Sequence, residues 1–360
     1  MHVDLDYFYA QCEENQNPSI RGKPVVVCVY SGRTEESGVV STSNYEARKY
    51  GIKAGIPIAR AKKLLETAEA LFLPMNKPLY EEVSDRIMEI LRKHGDSFEE
   101  AGIDEAYLEV TDRTKGSFEK AMEIADEVKQ QIMEQEHISC SIGIAPNKLL
   151  AKVASDHNKP KGLTIVTPAE ATTFLAGLPA GRIPGVGRKV EETLNQLKVQ
   201  TVNQLQALDA PTLVETFGTS LGTYLYHASR GEDDEPVKER EQPTQFSRIA
   251  TLTRNTRDIS EMLLLLGDLA SSVAQKLAER NITCRSVSII AILDDLSIHS
   301  KSKTLESPTS VVETISKNAK DLMEQFLQSM PNAIARRIGV KLSGLSKRSG
   351  QTDISKFLGQ

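Results

Sequence analysis

Apolar positions recur at three and four residues along Tyr80, Val83, Ile87, Ile90 and Leu91, the spacing of a helix with one buried face. Lys93-His94-Gly95 closes that stretch with cations and a glycine, a common helix end. Phe98 to Val110 reads as two short strands around Gly102-Ile103-Asp104-Glu105. A second helical stripe runs through Ala121, Ile124, Ala125, Val128 and Ile132, and Ile138 to Ile144 alternates strictly, as a half-buried strand does. The first segment, His2 to Tyr9, has the apolar and aromatic content of a buried strand and carries two acids. The resulting order, β–α–β–β–α–β, predicts a ferredoxin-like sheet backed by two helices.

Residues 10 to 75 form an insertion in that order, with a strand over Pro24 to Tyr30, a Gly- and Ser-rich loop over Ser31 to Ser43, and a short helix near Ala59 to Leu65. Residues 170 to 230 read as helical, with the turn Ile183-Pro-Gly-Val-Gly187 inside them. The charge-dense, Pro-flanked stretch Gly231 to Pro243 marks a linker. Beyond it the β–α–β–β–α–β order returns without any repeat of sequence, so a shared topology is expected.

Length and composition fit a multidomain globular chain: 360 residues, 39% hydrophobic, enough for two to four cores at ~100–200 residues each. No apolar run, Met262 to Leu266 included, approaches the ~18 residues of a membrane span. A cytoplasmic protein with no membrane partner is expected. Cys12, Cys28, Cys140 and Cys284 lack CxxC spacing and sit in apolar surroundings, which suits buried reduced thiols. The net charge of −5 is unevenly spread: residues 244 to 350 carry 15 Lys and Arg against 10 Asp and Glu, leaving the first 243 residues at −10. An acidic body joined to a basic module suits an enzyme that grips nucleic acid away from its chemistry.

The acids need an explanation, because an unpaired charge inside an apolar strand is costly. Asp4 on the first strand, with Asp104 and Glu105 beside a hairpin tip, supplies the hard oxygen ligands that two divalent ions need for phosphoryl transfer. Asp4 and Asp6 alternate onto one face, so periodicity leaves open which of them binds metal.

Val3-Asp4-Leu5-Asp6-Tyr7-Phe8-Tyr9, Asn44-Tyr45-Glu46-Ala47-Arg48 and Ile103-Asp104-Glu105 together resemble the Y-family DNA polymerases, the translesion or polymerase IV type. The resemblance covers nearly the whole chain. It implies an α+β, multidomain right-hand polymerase: ferredoxin-like palm (1–10 and 74–166), small fingers (11–73), helical thumb with a helix-hairpin-helix turn (167–231), linker (232–243), βαββαβ little finger (244–345) and flexible tail (346–360). It implies that Asp4, Asp104 and Glu105, with the Leu5 carbonyl, hold two Mg²⁺ ions, with Mn²⁺ as an alternative, and that Asp6 is structural. Tyr7, Phe8, Tyr9, Thr42, Tyr45, Arg48 and Lys159 would surround the dNTP, Tyr9 acting as the steric gate against a ribose 2′-OH. The family usually has Ser where Gly102 stands.

The small residues of Ser37 to Thr42 over the nascent pair suggest low fidelity, and every segment is assigned without an exonuclease. Gly185, Gly187 and Lys189 of the helix-hairpin-helix turn would meet the DNA backbone, as would Arg248, Arg254, Arg336 and Arg337; Arg257, Arg285 and Lys341 are further basic positions in that domain. Gln351, Ile354, Phe357 and Leu358 resemble a sliding-clamp motif that departs at its last position, where Leu358 replaces an aromatic. A monomer partnered by primer-template DNA, dNTP and a clamp is expected. Two rival readings remain, a nucleotidyl cyclase with a similar palm and a catalytically dead scaffold that binds DNA and clamp.

Overall fold

The computed structural model describes residues 1–239 and 243–348, which fall into two compact units. The first comprises residues 1–29 and 39–239; the second comprises residues 30–38 and 243–348.

The first unit opens with β1 (His2–Leu5) and α1 (Phe8–Gln16). The expected strand to Tyr9 is therefore half as long. Tyr7 takes φ 36°, ψ 43° and turns the chain into the helix. α1 escaped notice because two residues on its buried side, Gln11 and Glu14, are polar, so no apolar stripe advertises it. The insertion holds β2 (Val25–Tyr30), β3 (Gly38–Ser43), α2 (Tyr45–Arg48), α3 (Ile58–Leu64) and β4 (Leu71–Pro74), forming a sheet ordered β3-β2-β4. Half of the anticipated loop is thus β3.

α4 (Lys77–His94), β5 (Ser97–Gly102), β6 (Glu105–Glu109), α5 (Thr111–Thr114), α6 (Phe118–Glu136), β7 (Cys140–Ile144), α7 (Lys148–His157) and β8 (Leu163–Ile165) complete the palm. Side-chain caps start its helices: Asn76 accepts from Leu79 N, Ser117 from Lys120 N and Asn147 from Leu150 N, each satisfying an amide that the helix itself leaves open. The sheet order is β5-β6-β1-β7-β8, so the first and third strands of the β–α–β–β–α–β set lie side by side in the middle, as a ferredoxin-like sheet requires. Val3, Leu5, Ile87, Leu91, Leu108, Ile132 and Ile142 fill the core beneath it.

Five helices follow: α8 (Ala171–Ala176), α9 (Arg188–Gln196), α10 (Val202–Gln206), α11 (Ala210–Phe217) and α12 (Thr219–Ser229). The next stretch, read as a linker, makes contacts with the palm. Asn147 donates to the Gly231 carbonyl, Leu149 N donates to Asp233, and Arg92 pairs with Glu239 at 2.7 Å. Lys148, 8% exposed, bridges Glu99 at 2.8 Å and Glu235 at 3.5 Å. A buried ammonium needs such carboxylates, and the linker supplies one of them.

The second unit contains β9 (Gln245–Thr256), α13 (Ile259–Glu279), β10 (Ile282–Leu293), β11 (Ile298–Thr309), α14 (Val312–Ser329) and β12 (Ala335–Lys347). Element order repeats that of the palm, but strand order does not: this sheet runs β11-β10-β12-β9, with the second and fourth strands central. The expectation of a shared topology is corrected on that point. β12 also runs to Lys347, where Ser346 and Lys347 pair with Thr283 and Ile282, two residues into the stretch read as tail. Residues 30–38 join this unit through Arg33, whose guanidinium donates to the Leu252 carbonyl (2.6 Å), Asn255 (2.7 Å) and the Arg336 carbonyl (3.2 Å). Gln351, Ile354, Phe357 and Leu358 lie outside the described residues.

All four cysteines are free and buried. Among the described residues no helix is long and apolar enough to cross a membrane.

Candidate active site

The antiparallel register of β1 with β6 sets Asp4 directly opposite Glu105, and Leu5 N donates to the Asp104 carbonyl at 2.8 Å. Two segments a hundred residues apart thus bring three acids to one end of the sheet. Asp6, the other acid of the motif, points elsewhere. It is 1% exposed and accepts from the hydroxyls of Ser139 (2.9 Å) and Ser141 (2.7 Å) and from Lys161 N (2.9 Å). Three donors answer its buried charge.

Charge around the remaining acids is unequal. Burial lifts the Asp4 carboxyl to about 6, against the pull of Lys159 and with a push from Asp104. Asp104 is also raised, by burial and by Glu105. Glu105 is held down to about 2 by His2 and Lys152, despite its burial. Lys159 Nζ stands 2.7 Å from Asp4 and 2.6 Å from Asp156. Burial alone would lower its pKa, but the carboxylates, Asp4 foremost, outweigh burial and raise it. Lys152 pairs with Glu105. His2 Nε2 is 3.4 Å from Glu105, while Nδ1 shares a 2.7 Å contact with Ser155 Oγ. Burial pushes the His2 ring down to about 4, so it is neutral at pH 7.

Among the described residues no three His, Cys, Asp or Glu side chains are gathered around one ion position. Glu105 is turned to Lys152 and Asp4 to Lys159, so the expected cage is not drawn together. The donor set nevertheless fits hard divalent cations: two carboxyls that burial penalises when charged, and lysines standing where positive charge is needed. Gly102 leaves room here, because a Cβ on it would lie 3.3 Å from Glu105 Cγ.

Beside the acids lies a second group. Asn44 caps α2 by accepting from Ala47 N at 3.0 Å. Within that helix the Arg48 guanidinium lies 4.7 Å over the Tyr45 ring and donates to the Ser43 carbonyl. Tyr7 meets Tyr45 edge-on at 5.3 Å. The Tyr45 hydroxyl is buried without a hydrogen-bond partner. Thr42 is half-buried at the end of β3. Phe8, 2% exposed, packs its ring into the palm core, leaving its backbone as its available face. Tyr9 is half-buried on the first turn of α1.

The helix-hairpin-helix turn has the expected form. Gly185 takes φ 84°, Gly187 starts α9, and Gly185, Gly187 and Lys189 are exposed. In the second unit the arginines divide. Arg337 and Lys341 point to the helix-free side of the sheet. Arg248, opposite Val340 of the core, and Arg254, 3.9 Å from Glu261 of α13, belong to the helix side of β9. Arg336 sits where the β9–β12 register shifts.

Sequence reading missed Lys152 and Asp156. Lys148, Lys152 and Asp156 recur every four residues on α7, a charged stripe that was visible beforehand.

Comparison with known proteins gives the family. Residues 3–156 match the impB/mucB/samB family, residues 181–233 the DNA polymerase-iota thumb domain, and residues 243–354 the impB/mucB/samB family C-terminal domain. A DNA polymerase IV of Nitrosopumilus maritimus is 45% identical over 99% of this chain and 98% of its own. One of Saccharolobus solfataricus is 41% identical with the same coverage. Among solved structures, a Y-family Dbh–Dpo4–Dbh chimera superposes with a TM-score of 0.90 at 41% identity, covering 96% of this chain and 98% of that one. An insertion ternary complex of Dbh DNA polymerase gives 0.69 at 40% identity with the same coverage.

A ferredoxin-like palm bearing clustered acids, a helix-hairpin-helix module and a separate βαββαβ unit thus define a right-hand DNA-directed DNA polymerase. More narrowly, the chain belongs to the Y-family, among the translesion DNA polymerases IV.

Proposed function

We propose that this polymerase adds dNTPs to a primer 3′-OH with Asp4, Asp104, Glu105 and the Leu5 carbonyl holding two Mg²⁺ ions. When bound, such a pair acidifies the primer hydroxyl and neutralises the leaving diphosphate. The carrying observation is the placement of Asp4 opposite Glu105 with the Asp104 carbonyl on Leu5 N. Lys159 and Arg48 bring positive charge to the triphosphate, and Thr42 a hydroxyl. The unpartnered Tyr45 hydroxyl suits a phosphate oxygen. The first amides of α1, from Phe8 and Tyr9, have no acceptor within their own helix and face the same anion. Tyr9 forms the wall under the sugar. Small residues over the base pair make discrimination weak and lesions tolerable.

Gly185, Gly187 and Lys189 grip the DNA backbone, with Arg336 and Arg337 of the last domain. Gln351, Ile354, Phe357 and Leu358 dock a sliding clamp by a single helical turn. The test is primer extension with Mg²⁺ and four dNTPs across an abasic template. The parent extends, and Asp104→Ala, folded by circular dichroism, does not. Equal extension by the variant would make the acids dispensable and overturn the reading.

A further inference from the structure

Tyr9 does not stand alone. Its ring stacks on that of Tyr80 with centroids 4.4 Å apart and planes 14° from parallel. Tyr80 is 0% exposed, meets Phe8 edge-on at 6.5 Å, and donates its hydroxyl to Glu13 Oε1 at 2.5 Å. Glu13 lies on α1, one turn beyond Tyr9. Tyr80, reaching in from α4, therefore holds the same helix at two points: ring against ring at Tyr9, hydroxyl against carboxylate at Glu13. A core position that needed only volume would accept Leu or Phe without the buried hydroxyl and its partner.

We infer that Tyr80 is a positioning residue for sugar selection. The inference rests on Tyr9 being the wall under the sugar. A half-buried ring excludes an added hydroxyl only if it cannot swing aside. A flat, immobile ring behind it removes that freedom, and offset or stacked aromatic pairs are favourable contacts in themselves. Tyr80 is in turn fixed by burial and by Glu13. The gate is then a two-ring laminate, and its stiffness resides in the inner ring.

The experiment measures kcat/KM for a dNTP and for its ribonucleotide in the full-length enzyme carrying Tyr9→Ala, Tyr80→Phe, Tyr80→Leu, or Tyr9→Ala with Tyr80→Leu. Tyr80→Phe, which keeps the ring, should hold the dNTP-to-rNTP ratio within about threefold of the parent, whereas Tyr80→Leu, which removes the flat face, should cut it by about tenfold or more. The double variant should discriminate no worse than Tyr9→Ala alone, since both changes disable one device. A purely structural role would lower both efficiencies together and leave the ratio unmoved. If Tyr9→Ala relaxes exclusion while a folded Tyr80→Leu does not, the inference is wrong. If Tyr9→Ala itself leaves exclusion intact, the gate assignment fails first. Should Tyr80→Leu not fold, Tyr80→Met is held to the same criterion.

Discussion

Asp4 and Glu105 face each other across β1 and β6, yet one carboxyl is raised to about 6 and the other lowered to about 2. Burial dominates at Asp4. At Glu105 the neighbouring His2 and Lys152 prevail. The strand pair thus holds one acid at a cost to folding and one that is well compensated, a difference that matters until cations arrive.

The first consequence is for stability. Between pH 3.8 and about 6 folded Asp4 keeps a proton that the unfolded chain has released, so its contribution to stability falls as pH rises through that window. Asp4→Asn should therefore stabilise the metal-free enzyme at pH 7 to 8, by roughly 1–3 kcal/mol at ~1.4 kcal/mol per pKa unit, with the gain vanishing near pH 4. It should also abolish primer extension. Urea denaturation in EDTA across that pH range checks it; an Asn variant less stable than the parent at pH 8 would contradict the assignment.

Lys152 stands on Glu105 where a cation is expected. Lys152→Ala should leave the metal-free acids under-compensated, lowering the unfolding temperature by about 2–5 °C. Added Mg²⁺ should then raise it by more than in the parent. Scanning fluorimetry with EDTA and with Mg²⁺ gives both values, and equal Mg²⁺ gains in variant and parent would argue that Lys152 is no counter-ion.

Two glycines of the thumb turn should separate fold from contact. Gly185 has a positive φ, and a Cβ there would lie 3.2 Å from the Tyr224 ring, whose hydroxyl donates to the Pro184 carbonyl; Gly187 faces open space. Gly185→Ala should lose both thermal stability, through strain of about 1–3 kcal/mol, and DNA affinity. Gly187→Ala should keep its stability and lose affinity alone, because only an approaching phosphate would meet the new methyl group. Anisotropy with labelled primer-template DNA decides, and unchanged binding by Gly187→Ala would remove that amide from the interface.

Backbone-mediated grip is screened by salt, so long products need a tether. Deleting Gln351 to Gln360, or changing Ile354, Phe357 and Leu358 to Ala, should leave single-nucleotide insertion nearly unchanged and abolish clamp stimulation of long products. A clamp raises the local concentration of a short-tethered enzyme to about the mM range. Undiminished stimulation of the truncated chain by its clamp would place the tether elsewhere.

What could be read beforehand follows from burial. α4 shows one buried apolar face and β7, buried throughout, alternates apolar with small residues, so their periods of 3.6 and 2 were plain in Tyr80 to Leu91 and Ile138 to Ile144. α1 was hidden because Gln11 and Glu14 point inward, satisfied by Ser139 and Asn44. Strand order in the last domain left a trace in composition: β11 is mostly exposed and carries Lys301, Lys303 and Pro308, as an edge strand does, whereas the central β10 is largely buried and apolar. The acids were legible as residue types from far apart in sequence, but their ion pairs with Lys152 and Lys159 depend on α7 and the loop after it being laid against β1.

Asp6 carries a lesson of inheritance. Its carboxylate accepts from Lys161 N, Ser139 and Ser141, so the loop bearing Lys159 is held by an acid just past β1, itself fixed by one hydroxyl just before β7 and one within it. That loop cannot be transplanted as a cassette: moved into a relative without its three anchors, it would keep its letters and lose its address. Recombination between homologues should respect this linkage, passing on the three anchors and the loop together or not at all.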